Sequence, residues 1–172
     1  MDETRWLDRR ELAAWVRVAA LLELLPGVLD RQLRRDADLI MFEYFVLAML
    51  SEAPDRTLRM TDLAAQTNAT LPRLSHVVRR LEDRGLIHRF PCPQNRRATN
   101  ARLTDNGWEL VTATAPGHVA AVRENVLDAL TPEQVEQLTG IADAVLGRVD
   151  PSAAMAAMYR RYDDPLEPDA GP

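Results

Sequence analysis

The sequence predicts a mainly α-helical protein with one small β-hairpin. Three observations lead there. Apolar residues recur at spacings of three and four through most of the chain, and helix-capping residues stand in front of those runs. Two short strand-like runs, 86–92 (LIHRFPC) and 98–104 (ATNARLT), flank the turn PQNRR and read as a hairpin. With 172 residues, 47% of them hydrophobic but only 5% aromatic, the chain suits one domain with terminal arms and an aliphatic, Ala-rich core, a mix that favours helix.

From about residue 8 to 35 the pattern is helical, with Leu12, Trp15, Val16, Ala19 and Leu22 on one face. Pro26-Gly27 interrupts it. A proline inside a helix costs about 3 kcal/mol and kinks it, so two helical pieces or one bent helix are expected. A second helix near 41–52 (FEYFVLAML at its centre) is apolar all round and therefore buried, and APDRT follows as a turn. Thr61 reads as the N-cap of a short helix, DLAAQT. Asn68 lies where a tight turn needs a left-handed residue. Thr70 caps the next helix, with Pro72 in its first turn and Gly85 as its C′ residue. Two short helices joined by a turn of about four residues form a helix-turn-helix pattern, and the hairpin comes next. Thr104 caps a long helix, about 105–129, which can bend at Pro116-Gly117. Thr131-Pro132-Glu133 opens the last strong helix, whose apolar face is Leu138, Ile141, Val145 and Val149. Asp150-Pro151 can restart a short helix through AAMAAMYRRY, and DDPLEPDAGP reads as disordered.

Charge is distributed unevenly. Residues 71–104 hold eight arginines against two acids, Glu82 and Asp83, so this stretch carries +6 in a chain of −5 and the remainder carries −11. A basic stripe on an acidic chain is the footprint of a polyanion-binding surface. The basic residues are all arginine, so each can bind carboxylate or phosphate bidentately. On a wheel at about 100° per residue, Leu74, Val77, Val78 and Leu81 form one stripe, and Arg73, His76, Arg79 and Arg80 fall opposite, with Ser75 at the edge. Such groups can read a major groove, where Arg pairs with guanine. The N-terminal part of the second helix meets the bases in helix-turn-helix proteins, so Arg73, Ser75 and His76 are base-proximal, then Arg79. Arg80 and Arg84 suit phosphates or internal salt bridges. Helix-turn-helix followed by an Arg-tipped hairpin is a winged helix. Its tip arginines, Arg96 and Arg97, then stand beside the recognition helix, ready for a narrow minor groove. The bland alternative is a solvated helix face screened by Glu82 and Asp83.

Other chemistries find little support. Cys92 is the single cysteine, which excludes an internal disulfide and a Cys-based zinc site. His76, His88 and His118 are scattered, so no metal site is expected. There is no glycine-rich phosphate loop, and Ser51, Ser75 and Ser152 lack nucleophile-elbow surroundings. Neither catalytic residues nor a cofactor are expected. No uninterrupted apolar run is long enough to span a bilayer, and the charged N-terminus lacks a signal-peptide shape. No membrane association and a cytoplasmic location are the expectations.

The run from Leu58 to Gly107 resembles the MarR family of bacterial transcription regulators. The resemblance rests on LAAQT, LSHVVRRLEDRGLI, NRR and LTDNG in that order, and extends from about Trp15 to Val149. It implies a winged-helix homodimer with interleaved N- and C-terminal helices, bound to a palindromic operator of double-stranded DNA and often released by a small ligand or by oxidation. The expected division is dimerisation helices at 1–36 and 105–150, a winged helix-turn-helix domain at 37–104, and a C-terminal extension at 151–172. The chain departs from the family's wing pattern at Asn95, where an Asp that orients the wing arginine usually stands. The long helix carries apolar positions (Leu110, Val111, Val119, Val122 and Val126) that need a partner, the alternative to a second copy being an intramolecular bundle. Family likeness also implies an effector pocket near Trp15, Phe42, Tyr44, Phe45 and Trp108, although core packing is the commoner use for aromatics. Cys92 is the candidate redox sensor, provided that it is exposed and its pKa is lowered. The function expected is a ligand-responsive repressor. A winged-helix module that binds protein instead of DNA is the rival.

Overall fold

The computed structural model describes residues 4–93, 95–161 and 163, and omits the Arg96 side chain. Most of the tail expected to be disordered, 164–172, thus lies outside the described residues. The elements run α1 (Arg9–Ala37), α2 (Met41–Ser51), β1 (Thr57–Arg59), α3 (Met60–Gln66), α4 (Leu71–Asp83), β2 (Ile87–Cys92), β3 (Asn95–Leu103), α5 (Asp105–Asn125), α6 (Pro132–Val149) and α7 (Ala156–Tyr159).

Capping chemistry sets most boundaries. Asp8 opens α1 by accepting from Arg10 N and Glu11 N, while Glu11 accepts from Asp8 N. The helix passes through Pro26 as one element rather than two. Pro26 is exposed, so water can reach the carbonyl that its missing N–H leaves unpaired. α1 stops at Asp38, which takes left-handed φ of 51°. Around the helix-turn-helix Thr70 Oγ1 accepts from Arg73 N at 3.4 Å, Asn68 adopts φ 47° and Gly85 φ 72°. Thr104 and Thr131 cap α5 and α6, Thr131 in a box with Gln134. Thr61 is not a cap: α3 begins one residue earlier, and the Thr61 hydroxyl bonds Asp62 Oδ1. The α5 helix also continues through Pro116 and ends in a 3-10 turn at Leu127–Ala129.

The sheet is antiparallel in the order β1-β3-β2. β1 is new relative to the sequence expectation. Its three residues pair with β3 more than forty positions away (Thr57↔Arg102, Arg59↔Asn100), so no local pattern announces it. β3 starts at Asn95, which moves Arg96 and Arg97 from the expected turn into a strand. Pro91 occupies the edge strand β2, where a missing N–H is tolerated, and the register shifts beside it.

One core joins α2, α3, α4 and the sheet to the C-terminal turns of α1 and the start of α5, through Leu33, Leu47, Leu50, Leu63, Leu74, Val78 and Leu81 among others. Beyond that core α1, α5 and α6 stay bare. Trp15, Leu22, Val119, Leu138, Ile141, Val145 and Val149 are exposed, so no bundle formed by the described residues covers them. Among the described helices α1 is long and apolar enough to cross a membrane by length and composition, with a window of mean hydropathy 1.8. Arg17 and Glu23 interrupt that window, so it is not the uninterrupted apolar run considered from sequence.

Candidate nucleic-acid interface

α4 has three surfaces besides the buried stripe of Leu74, Val77, Val78 and Leu81. Its outermost crown carries Pro72, His76, Arg79 and Asp83, all exposed. One flank faces the hairpin. There Glu82 accepts from Arg89 three times: from its backbone N at 3.0 Å, from Nε at 2.9 Å and from Nη2 at 2.6 Å. The Arg89 hydrogen bonds hold the Glu82 carboxyl below the usual carboxylate range. This contact ties the wing to the recognition helix. Half-buried Ser75 lies on the same side and lines a cavity of about 280 Å³ with Thr61, Leu71, Arg89, Arg97 and Thr99.

The other flank faces the corner between α1 and α2. Arg73 stacks its guanidinium 4.3 Å above the Phe42 ring. Arg80 Nη2 stands 3.0 Å from Glu43 Oε1, an ion-pair contact not aligned as a hydrogen bond. Glu43 is 1% exposed, and its other oxygen accepts from Ile40 N. Arg84 donates to the carbonyls of Asp38 (2.9 Å) and Ala37 (3.2 Å).

The predicted DNA-contact residues therefore separate. His76 and Arg79 stand on the open crown. Arg97 is exposed on β3, and Arg102 on the same strand is an exposed arginine that sequence reasoning did not select. Ser75 sits at the wing edge. Arg73 and Arg80 are held by protein partners; for Arg80 this is the internal salt bridge weighed from sequence, and it argues against free phosphate contact because a buried Glu43 left alone would be costly. The Arg96 side chain lies outside the description. Asn95 has a use of its own, its Oδ1 accepting from Arg97 N at 3.1 Å and so shaping the wing turn.

Two other candidate sets fare less well. Cys92 is 1% exposed, so its thiol lacks the access that redox sensing needs. The five aromatics do not converge. Trp15 projects from the bare part of α1, Tyr44 belongs to the core beside His118 (ring centroids 4.7 Å apart), and Phe42 and Phe45 pack on that core. Trp108 lies under Arg56, which also pairs with Asp105. A cleft of about 340 Å³ lies between α1 and α5, lined by Val28, Gln32, Asp36, Gly117, Ala121 and Asn125 among others. Buried Gln32 links its parts, donating to Asp36 and facing His118 Nδ1 at 3.3 Å. Burial lowers the His118 pKa. Among the described residues no group of three or more His, Cys, Asp or Glu could hold a metal ion.

Comparison with known proteins matches this geometry. A model of the MarR family matches residues 40–99, from the start of α2 into the wing. The HTH-type transcriptional regulator PecS of Dickeya dadantii (strain 3937) is 39% identical over 71 residues, 41% of this chain and 40% of PecS, so the match spans about two fifths of that relative. Sco3205, a MarR family transcriptional regulator from Streptomyces coelicolor crystallised in complex with DNA, is 46% identical with a TM-score of 0.84, over 88% of this chain and 95% of that one. AbsC, a MarR family transcriptional regulator from the same organism, is 35% identical with a TM-score of 0.82, over 86% and 99%. Matched along nearly the whole length of two solved regulators, by sequence and by fold, the chain belongs to the MarR family of transcriptional regulators.

Proposed function

We propose that the protein is a homodimeric repressor that binds a two-fold symmetric DNA site, acting in the cytoplasm by binding and not by catalysis. The observation that carries this reading is the open crown of α4, His76 and Arg79, set beside a wing with exposed Arg97 and Arg102. The crown suits the major groove, and the wing strand suits the adjacent backbone and minor groove. Its relative Sco3205 was crystallised with DNA. The bare apolar faces of α1, α5 and α6 fit a second copy, and two reading heads then address half-sites about one helical turn apart. The division into dimerisation helices (1–36 and 105–150), reading domain (37–104) and extension (151–172) follows from this. We place the small effector in the α1–α5 cleft, because it adjoins both dimer helices and the core of the reading head.

The test is binding to a duplex selected from a random-sequence pool by the wild-type protein. Affinity is expected to fall steeply with salt, because each phosphate contact releases counterions. Arg79→Ala is expected to cost about 1–3 kcal/mol and relax sequence preference, whereas Arg97→Ala weakens all sequences alike. Failure of the wild type to bind any duplex at low salt would overturn the reading and favour a protein-binding module.

A further inference from the structure

The basic stretch holds more arginine than its groove-facing surface uses. Arg73 and Arg80 on α4 and Arg84 at its C-cap fall within a stripe about 40° wide, at about 100° per residue. Their four partners lie in seven consecutive residues of the α1–α2 corner: the Ala37 and Asp38 carbonyls, the Phe42 ring and the Glu43 carboxylate. Each contact meets a separate need. The last carbonyls of a helix lack intrahelical donors, and a cation there also complements the helix dipole. A carboxylate as buried as Glu43 requires a cation. A guanidinium over an aromatic face is attracted by the ring quadrupole. The corner itself is stiff: Asp30 accepts from Met41 N at 2.6 Å, and Glu43 accepts from Ile40 N at 3.1 Å.

We infer that this flank is a rack of positioning residues. Arg84, bonded to the end of α1, and Arg80, paired with Glu43 of α2, lock the recognition helix to the α1–α2 corner, so that the reading head moves as one body with the helix proposed to form the dimer. Arg73 is held by the same rack, its guanidinium oriented by Phe42. The crown residues read DNA, while Arg80, Arg84 and Glu43 set the angle at which they arrive. A displacement of α1 at the cleft beside Asp36 would reach α4 through the Ala37 and Asp38 carbonyls. The inference rests on the DNA-binding reading for its function, though not for its mechanics.

Two measurements test it. On the selected duplex, Arg84→Ala and Arg80→Ala should each weaken binding about tenfold with the wild-type salt slope. An arginine that contacts phosphate would instead lower that slope by about 0.9 per protomer when removed, as Arg97→Ala should. Glu43→Gln, a near-isosteric change at a site no DNA can touch, should also weaken binding. In the free protein, amide hydrogen exchange along α4 should quicken in Arg84→Ala and in Glu43→Gln, with the rest of the core unchanged. A reduced salt slope for Arg80→Ala and Arg84→Ala, tighter binding by Glu43→Gln, or unaltered exchange in α4 would overturn the rack. Should the wild type bind no duplex, the DNA reading fails alone and the exchange experiment still decides the rack.

Discussion

Glu82 and His118 show how single residues connect the reading head to its surroundings, and their ionisation is testable. Hydrogen bonds from Arg89 lower the Glu82 pKa. A depressed carboxylate stabilises the fold above its unfolded pKa, and that contribution is lost as pH falls through the folded value. A charge-assisted contact of this kind is worth about 1.5 kcal/mol. Burial also depresses the His118 pKa, so its neutral form is the one the fold accommodates. Stability from that site is present above the free imidazole value of about 6.5 and declines as protons are forced on at lower pH. Both groups act in the same direction, His118 first. The thermal midpoint should drop between pH 7 and pH 5.5, and His118→Gln should remove most of that drop. An unaltered drop in the variant would sink the assignment. None of these environments can be read from the chain: the wheel places Arg73, Arg80 and Arg84 away from the buried stripe, but only packing shows that an outward direction ends on another element.

Elements were legible wherever a cap and a period agreed. Thr70, Asn68 and Gly85 bound the helix-turn-helix by local chemistry alone, and their backbone angles match. Thr61 misled because a hydroxyl before an apolar run resembles a cap even when the helix has already begun. β1 was missed because its ladder is supplied by a distant strand. Gly107 makes the same point from the other side. In the sequence it is one letter of LTDNG; in the fold a Cβ there would stand 2.3 Å from the Leu86 carbonyl oxygen and 2.7 Å from a Leu103 methyl. Backbone cannot yield as a side-chain tip can, so Gly107→Ala is expected to destabilise by about 3 kcal/mol or more. Urea unfolding would register this as a lower midpoint, and a loss under about 1 kcal/mol would mean that α5 shifts freely.

Over the whole molecule, the dominant feature is apolar surface that one copy leaves open. Ile141 and Val145 on α6 are 63% and 54% exposed, and Trp15 on α1 is 56% exposed. Contiguous faces of this kind mark association sites. Ile141→Asp should therefore convert a dimer to monomers in light scattering at micromolar concentration and weaken binding to the selected duplex, while leaving the core of the reading head folded by circular dichroism. A dimer that persists unchanged would place the interface elsewhere. By itself the sequence determined the helix-turn-helix, the hairpin after it, the capped helices around it and the excess of positive charge on one segment, because periodicity, caps and charge act over a few residues. Only the tertiary structure decided which arginines stay open, that Cys92 is buried and that the aromatics disperse. Those outcomes depend on what lies across from a side chain, and that neighbour is set by the packing of distant elements.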